Sequence, residues 1–184
     1  MLTDCQHAKI VLEKAELLFD QHTIERALDK LATAIEHDLA ETNPIVIGVM
    51  TGGLVPLAHL LTRLTMPLQT DYLHATRYAG QTHGGRLQWI ARPRLTLTDR
   101  EVLLVDDILD EGETLSAIIQ ECYRMGAAKV HSAVLFDKEL GSEKPVTADY
   151  VGLSCPNRYV FGFGMDYKEY WRNIPAIYAV NENG

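Results

Sequence analysis

The segment from Glu101 to Ser116 reads Glu-Val-Leu-Leu-Val-Asp-Asp-Ile-Leu-Asp-Glu-Gly-Glu-Thr-Leu-Ser. An apolar run ends in the paired carboxylates Asp106 and Asp107, passes through a short acidic loop containing Gly112, and re-enters an amphipathic stretch at about Thr114. That order predicts a strand, a loop and a helix. In an open parallel sheet, ligands bind beyond the carboxyl ends of the strands. A helix that begins there turns unpaired N–H groups and the positive end of its dipole toward the loop, which suits a phosphate. Paired carboxylates just upstream can accept hydrogen bonds from sugar hydroxyls or ligate Mg2+, a cation that takes oxygen ligands and is often shared between carboxylate and phosphate. One loop could therefore serve a sugar, a metal and a phosphate. Taken alone, the acids could equally be solvated loop residues, and Gly112 could serve only a tight turn.

Other segments add to this. Val49-Met-Thr51-Gly52-Gly53 places adjacent glycines after an apolar run, where bare N–H groups can approach an anion, although they could also merely relieve a turn. Lys138 closes the run Ala-Val-Leu-Phe-Asp-Lys, and farther on come Tyr159-Val160-Phe-Gly-Phe-Gly-Met-Asp166-Tyr and Tyr-Trp-Arg172-Asn. Read singly, Lys138 could be a solvent-facing lysine, Tyr159 a core residue, Asp166 an ordinary loop acid and Arg172 half of a surface ion pair. In this order, over roughly residues 44–175, the four segments resemble the type I phosphoribosyltransferases, and within them the hypoxanthine-guanine branch.

The resemblance implies an α/β fold: a parallel-sheet phosphoribosyltransferase-type core with helices on both faces and a small hood built from N- and C-terminal segments. It implies purine salvage, with transfer of 5-phosphoribosyl from phosphoribosyl pyrophosphate to N9 of hypoxanthine, guanine or both, giving IMP or GMP and pyrophosphate, with Mg2+ as cofactor. By the same resemblance Asp106 and Asp107 hold the ribose hydroxyls and the associated Mg2+. Asp110 lies near purine N7 as the proton-handling, catalytic group. Asp110, Glu111, Gly112, Glu113 and Thr114 receive the 5′-phosphate, chiefly through backbone N–H groups and the Thr114 hydroxyl. Tyr159 stacks on the purine, Val160 contacts the base edge through its backbone, and Lys138 meets the six-position oxygen. Thr51, Gly52, Gly53 and Arg172 bind pyrophosphate, Asp166 joins a second metal's shell through water, and Arg77 with Tyr78 belongs to a closing lid. Three places depart from the family pattern. Glu111 and Glu113 put acids where Ser or Thr and a neutral or basic residue are commoner, Thr51 stands where Lys or Arg is frequent, and Asp106 replaces a frequent Glu. A homodimer or homotetramer is expected.

The elements that must position these residues follow from hydrophobic spacing. Ile24, Leu28, Leu31, Ile35 and Leu39 recur at helical steps after a cap placed at Thr23, within a first forty-odd residues that read as helix. Asn43-Pro44 ends that region. Short apolar runs at 45–50, 68–74, 102–105 and 130–136 then alternate with helical stretches at 54–64 and 114–125, a pattern that predicts βαβ units and a buried parallel sheet. The polar stretch 75–94, with Gly80, Gly84 and Gly85 among four arginines, reads as a lid, or else as a solvated hairpin. After Gly141 the extended pieces 150–153, 159–163 and 176–180 read as a small appendage. No repeat or linker is visible, so one domain over residues 1–184 is expected, with its termini packed together.

Composition bounds the rest. Of 184 residues, 17 are Lys or Arg and 25 are Asp or Glu, so the formal net charge is -8, which argues against nucleic-acid binding through a basic face. An RNA-binding relative of the transferases is therefore a weaker alternative than an enzyme, and transfer to xanthine, adenine, uracil or orotate is the nearer one. Neither GxGxxG nor GxxxxGK[ST] occurs. The three cysteines are widely separated and the seven histidines have no partner at metal-ligand spacing, so neither a disulfide framework nor a zinc site is expected. Without a signal-like start or an apolar stretch of about 18 residues, the expected setting is the reducing cytoplasm, away from membranes.

Overall fold

A computed structural model describes residues 3–77 and 87–181, with the backbone alone described at Arg77 and Leu87. The first helix, α1 (Asp4–Lys14), opens with a reciprocal cap: the Thr3 hydroxyl accepts from the Gln6 amide at 3.3 Å, and the Gln6 side chain accepts from the Thr3 amide at 2.9 Å. A strand, β1 (Glu16–Phe19), then separates it from α2 (Gln21–Leu39). The first forty residues are thus two helices with a strand between them. The cap of α2 is Asp20, not Thr23: the Asp20 carboxylate accepts from the Thr23 amide at 2.8 Å, so Thr23 is the capped residue. Ile24, Leu28, Leu31, Ile35 and Leu39 are all buried along one face. Burial of a side chain of that size contributes about 1.5–3 kcal/mol before entropy is counted.

The remaining elements are β2 (Ile45–Met50), α3 (Leu54–Leu61), β3 (Gln69–Arg77), β4 (Leu87–Ala91), β5 (Glu101–Leu109), α4 (Glu113–Arg124), β6 (Lys129–Glu139), β7 (Tyr150–Pro156), β8 (Val160–Phe161) and β9 (Ile177–Ala179). Six strands form the main sheet in the order β4-β3-β2-β5-β6-β7, all parallel except the edge strand β4. Leu57 and Leu60 of α3 pack with α2 on one face of the sheet, and Leu115, Ile118 and Cys122 of α4 pack on the other. Helices therefore cover both faces, as continuous apolar strands require.

Beside this core lies a three-stranded antiparallel hood in the order β1-β9-β8, which joins the two ends of the chain. Arg158 pairs with Glu16 at 2.6 Å, and the Trp171 indole donates to the Ala8 carbonyl at 2.8 Å. The expected helices on both faces and terminal hood are thus present. The region after Gly141 differs from expectation, because β7 joins the main sheet beside β6 and only β8 and β9 belong to the hood. The 75–94 stretch also contains regular structure: β3 continues through Arg77 and β4 returns antiparallel to it from Leu87. Tyr78 and the rest of the expected lid between these strands fall outside the described residues, as does the Arg77 side chain. Among the described residues no helix is long and apolar enough to cross a membrane.

Candidate active site

The site arises from a mismatch in strand length at the centre of the sheet. Pairing of β2 with β5 stops at Gly48 and Val105, because β2 turns away into the Thr51–Gly53 loop. Pairing of β5 with β6 continues to Leu109 and Asp137. From Asp106 onward β5 thus has a neighbour on one side only, and its open flank faces a cleft. The apolar strand was expected to end at the acids; it carries them inside its last turn of pairing instead, which holds their backbone rigidly.

Asp106 and Asp107 are part-buried, and each accepts from the amide of the next residue, at 2.9 and 2.7 Å. Loss of solvent, reinforced by the neighbouring Asp107 charge, pushes the Asp106 carboxyl well above the ordinary carboxylate range. Burial also raises Asp107, opposed by its hydrogen bonds and by the Arg172 guanidinium. The first loop fits against these acids because it lacks a side chain: a Cβ on Gly52 would lie 1.9 Å from the Asp107 Oδ2. The hood comes equally close, since a Cβ on Gly164 would fall 2.3 Å from the Gly52 carbonyl, and Gly164 has a φ of 107°. Arg172 is aimed by that hood segment. It donates to the Gly164 carbonyl at 2.8 Å and pairs with Asp166 at 2.6 Å.

After Leu109 the chain turns through Asp110 and Glu111 to Gly112, whose φ of 80° lies in the left-handed region. Gly112 is the N-cap of α4 and supplies no side-chain cap, so the start of the helix turns its backbone toward the cleft without a capping side chain of its own. Glu111 and Glu113 are exposed. A cleft of about 350 Å³ is lined by Gly52, Asp106, Asp107 and the whole run from Ile108 to Leu115. Beside it lies a cavity of about 250 Å³ walled by Asp107, Ile108, Asp110, Lys138, Tyr159, Val160, Met165 and Asp166. The two share Asp107, Ile108 and Asp110. At that junction Lys138 Nζ meets Asp110 Oδ2 at 2.5 Å. Tyr159 is 52% exposed, with its hydroxyl donating to the Asp166 carbonyl at 3.3 Å. It therefore presents a ring to the cavity and is not a core residue. Burial and the Asp166 charge push its phenol upward.

Most of the expected residues thus converge. Thr51 lies on the first loop beside Gly52, while Arg77 and Tyr78 have no described side chain to place. Both Asp166 oxygens have partners, Oδ1 the Arg172 guanidinium and Oδ2 the Glu169 amide at 2.8 Å. Ile108 and Met165 wall the second cavity although neither was singled out by sequence; Ile108 could have been, since it lies between the acids of the motif. Among the described residues no group of three or more His, Cys, Asp or Glu side chains forms a metal cage. The Asp106–Asp107 pair nevertheless suits Mg2+, which commonly takes one or two carboxylates and completes its shell with water and substrate oxygens. Two part-buried carboxylates that resist ionisation side by side are relieved by such a cation.

The chain is similar to known proteins in sequence and in fold. The phosphoribosyl transferase domain family matches residues 14–168. The hypoxanthine-guanine phosphoribosyltransferase of Streptococcus pyogenes is 30% identical over 168 residues, covering 91% of this chain and 93% of that protein. The Bacillus subtilis enzyme of the same name is 30% identical over 164 residues, covering 88% and 91%. Among solved structures, a hypoxanthine phosphoribosyltransferase from Staphylococcus aureus superposes with a TM-score of 0.87 at 25% identity, over 94% of this chain and 95% of that one. On these matches in sequence and in fold, the chain belongs to the type I phosphoribosyltransferases, in their hypoxanthine-guanine branch.

Proposed function

We propose that this single-domain protein transfers the 5-phosphoribosyl group of phosphoribosyl pyrophosphate to N9 of hypoxanthine or guanine, releasing pyrophosphate and forming the nucleoside monophosphate. The observation that carries this reading is the meeting of two cavities, one polar and built around a helix start, the other walled by Tyr159, Val160 and Lys138, at Asp107, Ile108 and Asp110. A two-substrate transfer needs two compartments joined where the bond forms.

In this reading the 5′-phosphate accepts from the N–H groups of the Gly112–Thr114 turn, and Asp106 and Asp107 accept from the ribose hydroxyls. Tyr159 and Val160 hold the base with N9 turned toward ribose C1. The C1–oxygen bond to pyrophosphate breaks as the N9–C1 bond forms, through a cation-like sugar comparable to that of glycoside chemistry. Arg172 and the amides of Thr51–Gly53 take up the charge left on pyrophosphate. Asp110 accepts the proton that the purine loses at N7. Lys138 leaves its pair with Asp110 to donate to the six-position oxygen. Mg2+, when bound with pyrophosphate at the Asp106–Asp107 pair, neutralises charge on the leaving group. A cytoplasmic homodimer or homotetramer belongs to the same proposal, supported by the free thiols of Cys5, Cys122 and Cys155 and by exposed apolar residues such as Leu54, Tyr72 and Ile90.

The test is incubation with phosphoribosyl pyrophosphate, Mg2+ and a panel of bases, with nucleotide and pyrophosphate both quantified. Hypoxanthine and guanine should react, and adenine, which presents an amine where Lys138 needs an acceptor, should not. Turnover of adenine, uracil or orotate in preference to both oxopurines would overturn the base assignment.

A further inference from the structure

We infer that Lys144, which belongs to none of the motifs above, is a positioning residue for the phosphate loop. It lies on the segment that leaves β6 and returns across that loop toward β7, and its side chain is 10% exposed. Its ammonium donates to the Leu109 carbonyl at 2.8 Å and meets Asp137 Oδ1 at 2.5 Å. Leu109 and Asp137 are register partners at the ends of β5 and β6. Leu109 is the last strand residue before Asp110, so its carbonyl stands where the ladder stops and needs a donor from elsewhere. The stem of the same lysine, with Pro145 and Val146, packs on Gly112: a Cβ there would lie 3.4 Å from each of the three. Lys144 thus holds the loop at its exit from β5 and braces it again at its glycine.

Neighbouring residues on a strand point to opposite sides. Lys138 grips the Asp110 side chain while Lys144, paired also with Asp137, donates to the backbone carbonyl one residue earlier. Anion binding by backbone N–H groups depends on their holding a common aim, so freeing the exit of the loop should weaken the phosphate-bearing ligand and spare the base. Asp137 is 37% exposed, so removal of its partner leaves its carboxylate in contact with water.

The kinetic part of this inference rests on the transferase reading; the binding part does not. Lys144→Met, Lys144→Arg and Asp137→Asn are compared with the unaltered protein by thermal melting, by calorimetric titration with phosphoribosyl pyrophosphate and Mg2+, and by steady-state kinetics. Lys144→Met should melt cooperatively and weaken both Kd and KM for phosphoribosyl pyrophosphate by about tenfold, the scale of one lost charge-assisted hydrogen bond. KM for the base should stay within about twofold. Lys144→Arg should recover most of the loss, and Asp137→Asn should reproduce a smaller part of it. Unchanged affinity in Lys144→Met, or an equal loss for both substrates that arginine does not rescue, overturns the inference. If the unaltered protein binds phosphoribosyl pyrophosphate but transfers it to no base, the transferase reading falls, and the calorimetric comparison still decides the role of Lys144.

Discussion

Asp110 and Lys138 are held together at 2.5 Å, on adjacent strand ends and where the two cavities meet. Under the proposed transfer the Lys138 ammonium donates to the purine oxygen, so that base binding and release of Asp110 become one event. Replacing Asp110 by Asn keeps the shape and a hydrogen-bonding group for Lys138 while removing the proton acceptor. Turnover should fall by about 10² or more, the usual scale for general acid-base help, with affinity for phosphoribosyl pyrophosphate little changed. Activity within a few-fold of the unaltered protein would take Asp110 out of proton transfer.

At the scale of elements, the site depends on one strand outlasting its neighbour. β2 stops pairing with β5 at Gly48 while β5 runs on, and the loop leaving β2 then passes over the part-buried acids at a distance no side chain permits. A methyl group at Gly52 would overlap the Asp107 carboxylate, so loop and acid cannot both keep their places. Gly52→Ala should leave the buried apolar sheet folded and lower kcat/KM for phosphoribosyl pyrophosphate by about 10² or more, the scale of a 1 Å misplacement in a positioned site. Its melting temperature should change much less than its activity. Near-normal kinetics in this variant would show that the loop has slack that the contact distances do not suggest.

At the scale of the whole molecule, the acids that make the site strain the fold that carries them. The Asp106 pKa is raised in the folded chain, so the folded state holds a proton that the unfolded chain gives up more readily. The resulting stabilisation is complete below the ordinary carboxylate pKa and is lost as pH rises through the raised one. Without ligands, the unaltered protein should therefore lose stability from about pH 4 upward relative to Asp106→Asn, which has no such proton to release. At pH 8 the variant should melt at a higher temperature than the unaltered protein. The gap should close near pH 4. Phosphoribosyl pyrophosphate with Mg2+ should raise the melting temperature of the unaltered protein more than that of Asp106→Asn. Parallel melting curves across this pH range would show that Asp106 titrates alike in the folded and unfolded chains.

Sequence alone determined the parts in which chemistry and local order coincide. The acids, the glycine and the helix start of the phosphate loop lie within nine residues, from Asp106 to Thr114, and the strand and helix around them follow from apolar spacing that any packed sheet imposes. The resemblance of four ordered segments then located Lys138, Tyr159 and Arg172, which no spacing rule could connect. Tertiary structure decided what depends on residues distant in the chain. That β7 extends the main sheet rests on its pairing with β6, which a short run ending in Pro156 did not disclose. That Asp20 caps α2 rests on which of two acceptable residues faces the helix end. Lys144 stood in a segment with no periodicity, thirty-five residues beyond the carbonyl it holds, and only the return of the chain over Gly112 brings the two together. Local order can be read because its energy comes from neighbours along the chain; these contacts could not, because their energy exists only after the sheet has formed.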